Sequence, residues 1–197
     1  MDMKDRIKET ASEIQKIIML LTSIDDEPIR GKLWLQKEVF LLADKLEDVR
    51  EQSGYDAYLL GPHSETVDDE LTQLQDIGIV SFDSNRIHLT PIGKKVAKDI
   101  MNEVEQKNPQ LLNLIREYKR FLNDLSSDEL LSYVYSAYPD MTEESVEYEN
   151  IKPKMEENIL RLVTKDKISI SRAAELLNKS NEVLIKMLNK RGEKILT

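Results

Sequence analysis

The side chains best equipped for chemistry lie near the end of the chain, where Asn181, Lys186, Asn189 and Lys190 fall on the outward positions of a short helical segment. Arg172, Lys179 and Arg191 are close by in sequence. Asparagine pairs with adenine edges and lysine with phosphate or guanine, so this set suits contact with double-stranded DNA. The same segment has an apolar face of Val183, Leu184, Met187 and Leu188, and the segment before it has one of Ala173, Ala174, Leu176 and Leu177. Joined by a turn at Asn178-Lys179, the two match a helix-turn-helix over about 169–191; they also match the end of a helical bundle. Arg86, Lys94 and Lys95, with His88 and Lys98, form a second basic group suited to backbone phosphates.

Catalytic chemistry has less to work with. His63 and His88 have no nucleophile or second metal ligand at a useful spacing, and the absence of cysteine excludes disulfides, thiolate metal sites and thiol nucleophiles. Gly61-Pro62-His63-Ser64 holds one glycine and does not make a phosphate-cradling loop. Tyr133, Tyr135 and Tyr138 have faces on which bases can stack, but they sit in an acidic segment and read as core and interface. The expectation is a non-enzyme with no catalytic residue, metal or cofactor.

These residues need elements to position them. Ile7, Ala11, Ile14, Ile18 and Leu21 recur at helical steps and predict one helix over about 4–23, as a core helix or half of a subunit interface. A Pro/Gly break at 25–31 precedes a second helix over about 32–49, with Leu35, Val39, Leu42 and Leu46 inward and Trp34 on its flank. A short strand is expected at 55–60. Ser64 then caps a helix carrying Val67, Leu71, Leu74 and Ile77, and Gly78 ends it with a left-handed residue. Residues 79–82 and 87–89 make a hairpin around Asp83-Ser84-Asn85-Arg86, expected to pair with the 55–60 strand.

Thr90 and Pro91 open the next helix, which runs to about 107, and Pro109 opens another that reaches about 125. Ser126 and Glu129 form a capping box for a helix ended by Pro139, and a further helix is expected around 154–165. The fold class is therefore mainly α. A winged-helix-like domain with a small β-hairpin wing (1–107) is followed by a helical connector (108–126) and a C-terminal helical domain (127–197) holding the helix-turn-helix.

Charge is segregated along the chain. The net charge of −9 opposes unassisted binding to a polyphosphate, yet residues 151–197 hold eleven basic and six acidic side chains. Residues 121–150 hold eight acidic ones and no Lys or Arg, a solvated face or a surface for a basic partner. The helix at 64–77 has five acids and no base, so it is ill suited to enter a groove. No apolar run approaches bilayer length and no cationic leader precedes one, so a cytoplasmic protein without membrane attachment is expected.

The order Lys32-Leu33-Trp34-Leu35-Gln36-Lys37, Phe40-Leu41-Leu42, Tyr55-x-x-Tyr58-x-x-Gly61-Pro62-His63-Ser64, Leu74-x-x-x-Gly78-Ile79-Val80 and Leu89-Thr90-x-x-Gly93 resembles the Panacea (SocA-like) antitoxin domain and related prokaryotic winged-helix-like regulators over about 30–95. The middle aromatic motif is matched in part. The stretch from Ile170 to Leu177 is similar to the start of small regulator helix-turn-helix segments. The resemblance implies a regulatory or toxin-neutralising module that acts by binding protein. Joined to the residue chemistry, it leads to the expectation of a DNA-binding transcriptional regulator of the antitoxin autorepressor type, acting as a homodimer. The alternative is a protein-binding module, toxin-neutralising or adaptor, that does not bind DNA.

Overall fold

The structure is a computed structural model that describes residues 3–190. It is mainly helical, with small two-stranded hairpins. In chain order the elements are α1 (Met3–Thr10), α2 (Glu13–Ser23), α3 (Lys32–Ala43), α4 (Glu47–Ser53), β1 (Asp56–Tyr58), β2 (Gly61–His63), α5 (Glu65–Asp76), β3 (Val80–Asp83), β4 (Arg86–Leu89), α6 (Pro91–Lys107), α7 (Pro109–Asn123), α8 (Ser127–Ala137), α9 (Tyr148–Ile151), α10 (Met155–Thr164), α11 (Ile170–Leu177) and α12 (Asn181–Lys190). They form two compact units. The first contains residues up to Asp56 and Pro62–Asp124; the second contains Ala57–Gly61 and the residues from Leu125 on.

In the first unit α2 is the central element, packed by α5, α6 and α7. Ile14, Ile17, Ile18, Met19, Leu20 and Leu21 are all buried, so this helix is apolar nearly all round, as a fully enclosed core helix must be. The expected single helix over 4–23 is two helices. The apolar period runs through the junction, but the Ser12 hydroxyl accepts from the Gln15 amide and starts a new helix there. Likewise the expected helix over 32–49 ends at Ala43 and restarts as α4 at Glu47.

The caps at α5 and α6 follow the sequence expectation. The Ser64 hydroxyl accepts from the Val67 amide, Gly78 has φ +72°, and the Thr90 hydroxyl accepts from the Gly93 amide while donating to the Gly78 carbonyl at 2.6 Å. β3 and β4 pair antiparallel across a two-residue turn in which Ser84 and Asn85 have φ of 47° and 70°. The hairpin does not pair with the 55–60 segment. Its partner is Ile29, which exchanges both backbone hydrogen bonds with Ile87 at 3.1 and 2.9 Å.

The segment read as a connector packs α7 against α3 and α6, and Leu112, Ile115 and Leu122 are fully buried. Its last carbonyls are satisfied from α3 and the turn before it. The Trp34 indole donates to Leu122 O at 3.1 Å and the Arg30 guanidinium to Asn123 O at 3.1 Å, with the guanidinium 4.4 Å from the Trp34 ring centroid. Trp34 is thus half-buried and tied to α7.

The second unit is built on α8 packed against α10, with α11 on both. The capping box of Ser126 and Glu129 is present. Burial works against the Glu129 charge, yet Lys165 at 2.6 Å and the Ser126 amide hold its carboxyl below the usual range. Buried Asn158 donates to the Ser132 hydroxyl at 2.9 Å and fixes the register of α10 on α8.

Candidate nucleic-acid interface

α11 and α12 are two short helices joined by a turn that Asn178 makes possible, in the left-handed conformation at φ 51°. The Ser169 hydroxyl accepts from the Arg172 amide at the start of α11, and the Ser180 hydroxyl accepts from Val183 N at 3.4 Å at the start of α12. Ala173 and Ala174 are buried on α11, and Leu184 and Leu188 on α12. The small alanines let the helices approach closely. The expected apolar face of α12 is narrower than its sequence suggests, since Val183 is 42% exposed and Met187 half-buried, while Ile185 is 38% exposed. With both leucines turned inward, the side chains flanking them must face water.

That orientation leaves Lys186, Asn189 and Lys190 exposed, one helical turn apart or adjacent on the outer side of α12. Asn181 is also exposed and donates to the Ser171 hydroxyl at 3.2 Å, tying α12 to α11. Lys179 is engaged by Glu156. Arg172 pairs with Glu175 at 3.0 Å and lies 5.9 Å from the Tyr133 ring centroid. Those last three side chains thus carry structural contacts, and the outward row of α12 is the part of the set with its polar groups presented to solvent. Arg191 lies outside the described residues. Tyr135 is buried, with its hydroxyl 2.6 Å from that of Ser145.

On the first unit Arg86 and Lys95 are exposed, whereas Lys94 is paired with Asp26 at 2.6 Å. Lys94 and Lys98 line a shallow depression of about 210 Å³ with Ser23, Asp26, Leu89 and Met101. The outer face of α5 shows Glu65, Thr66, Asp69, Thr72, Gln73 and Asp76, so the acidity expected from the sequence is exposed there.

A polar cluster inside the first unit accounts for the quoted sequence motifs. The Gln36 amide accepts from Ser64 N at 3.0 Å and donates to Ser64 O at 2.9 Å, while the neighbouring Asp68 carboxylate receives it at 3.2 Å. The Lys37 ammonium donates to Pro62 O at 2.7 Å, and the Tyr55 hydroxyl donates to Gln36 O at 2.9 Å. The Leu-Gln-Lys helix and the Gly-Pro-His-Ser turn are therefore two halves of one clamp. Lys37 is 1% exposed, and burial pulls its ammonium down to about 7.

Next to it Glu38 is fully buried with neither carboxylate oxygen hydrogen-bonded; the Lys119 ammonium stands 3.9 Å away and donates to Pro28 O at 3.2 Å. Burial drives the Glu38 carboxyl upward and the Lys119 ammonium downward. Sequence reading missed this cluster because its members are joined by tertiary contact and not by periodicity.

The two histidines are apart: His63 Nε2 lies 3.8 Å from Asp68, and His88 Nε2 is buried without a hydrogen-bond partner. Among the described residues no group of three or more His, Cys, Asp and Glu side chains is arranged to hold a metal ion. No helix among them is long and apolar enough to cross a membrane.

No family model matches the chain, and neither a curated protein nor a solved structure matches it.

Proposed function

We propose that this protein is a DNA-binding transcriptional regulator of the antitoxin autorepressor type, with the α11–α12 helix-turn-helix as its reader and a winged-helix-like first unit. The observation that carries the reading is the outward row Lys186, Asn189 and Lys190 on a helix whose other side is fixed by buried Leu184 and Leu188. In the major groove such a helix meets phosphates with its lysines and an adenine edge with its asparagine. The winged-helix assignment draws on the order α2, Ile29 bridge, α3, α5 and the β3–β4 hairpin, and on the resemblance to Panacea-type domains. In this reading α5 is not the reader, because its acidic face meets phosphates with like charge. A twofold homodimer supplies the second half-site.

The double variant Lys186→Glu/Lys190→Glu tests it by gel retardation of duplex DNA. Loss of retention with an unchanged circular dichroism spectrum supports the reader; unchanged retention sinks it. A second reading, a protein-binding module without DNA contact, is favoured by the exposed Glu65, Asp69 and Asp76 of α5. Under it the parent itself gives no salt-sensitive retention.

A further inference from the structure

The second unit presents an apolar surface that neither its core nor the α12 row uses. Tyr58 is 48% exposed, Leu59 45%, Leu60 38% and Val146 62%. Leu59 and Val146, remote in sequence, are joined through the backbone: Val146 N donates to Leu59 O at 3.0 Å, and the Ser145 hydroxyl donates to the same carbonyl at 3.3 Å. Gly61 locks the turn from below. It has φ +81°, and a Cβ there would stand 2.7 Å from the Tyr135 ring, so the chain can pass that ring only as glycine. Leu59, Leu60 and Val146 are thus held outward on a fixed backbone. A rigid apolar patch of this kind is a recognition surface ready to bind with little loss of freedom.

What borders it selects the partner. Asp140, Glu143, Glu144 and Glu149 are exposed, and Glu147 follows Val146 directly. Lys152, the next cation along the chain, lies over the Tyr148 ring at 5.4 Å. An apolar centre with an acidic border is complementary to an amphipathic segment bearing Lys or Arg. A second copy meeting it through the same face fits less well, because that copy brings the same acidic border of Asp140, Glu143, Glu144 and Glu149.

We propose that the surface around Leu59, Leu60 and Val146 docks a basic amphipathic segment of a partner protein. Apolar side chains of the partner cover these residues while its cations meet Glu143, Glu144 and their neighbours. The proposal does not depend on the α12 reading, and the two fail in separate experiments.

The test titrates the full chain into a fluorescent peptide of leucines and lysines at helical spacing, and into a scrambled peptide of the same composition. The amphipathic peptide is expected to bind more tightly than the scrambled one. Affinity should fall by about tenfold or more for Leu59→Asp/Val146→Asp. A similar fall is expected for Glu143→Lys/Glu144→Lys, which alters exposed side chains and serves if the first variant fails to fold. Val183→Asp, at an exposed apolar position on α12, should bind as the parent does.

Equal binding of the two peptides, or parental affinity in a folded docking variant, overturns the proposal. So does sedimentation showing a parent that self-associates and is made monomeric by Leu59→Asp, since the occupant is then a second copy.

Discussion

Gln36 satisfies both backbone groups of Ser64 with one side chain, at 3.0 and 2.9 Å inside the core. Leucine at this position fills similar space and leaves the buried Ser64 N–H unpaired, while the Ser64 carbonyl keeps its bond from the Asp68 amide, a loss of about 2 kcal/mol. Gln36→Leu should therefore lower the urea midpoint without changing its slope; an unchanged midpoint would show that Ser64 finds other partners. Lys37 sets a pH dependence. Its ammonium titrates near 7 when folded against 10.5 in an ordinary setting, so between those values the unfolded chain binds the extra proton. Stability then rises with pH across that window and is lowest below it. In Lys37→Met this rise should become shallower in denaturation curves collected between pH 7 and 10, keeping only the part that Lys119, also pulled down by burial, contributes, and a slope equal to the parent's would contradict the burial argument. Neither effect was visible in the sequence. Gln36 and Ser64 are separated by 28 positions, and a motif shows which residues are present without showing that one amide holds the other's backbone.

Helix ends were the most legible elements, because a cap is decided within four residues. Ser64, Thr90 and Ser126 each accept from the amide three residues on, as their positions before apolar periods imply. The breaks at Ser12 and after Ala43 were hidden, since apolar spacing continues through both; at Ser12 it masks a local cap, and after Ala43 tertiary packing chooses the stop. Strand pairing was hidden for the same reason: Ile29, a lone bridge residue after a Pro-containing loop, has no local signature of the partner it finds in Ile87. Thr90-Pro91-x-Gly93 shows what such a motif encodes. A Cβ at Gly93 would lie 2.1 Å from the Ile79 carbonyl oxygen, so glycine is what allows α6 to start against the hairpin. Gly93→Ala should cost about 2 to 3 kcal/mol, because backbone atoms must shift to make room. Thermal unfolding reads this, and a melting temperature equal to the parent's would mean that the hairpin yields freely. Ser126→Ala removes one partner of the capping box and should cost about 1 kcal/mol in the same assay.

At the scale of the whole molecule, a chain of net charge −9 can bind DNA only where its cations are gathered and its acids turned elsewhere. The candidate reader was legible as a pair of amphipathic helices with a polar outer row. Its finer composition was not, since the pairing of Lys179 with Glu156, of Arg172 with Glu175 and of Lys94 with Asp26 depends on which elements pack together. Those contacts concentrate the proposed role on Lys186, Asn189 and Lys190.

The direct measurement is fluorescence anisotropy of a short duplex titrated with the full chain over a series of salt concentrations. The parent, Lys186→Glu/Lys190→Glu and Arg86→Glu/Lys95→Glu are compared. The parent should bind with an affinity that falls as salt rises, and the α12 variant should lose most of that affinity, with a logarithmic salt slope smaller by about two. A parent that leaves the duplex unbound at low salt, or an α12 variant with the parent's affinity and slope, would contradict the assignment of α12 as the DNA reader.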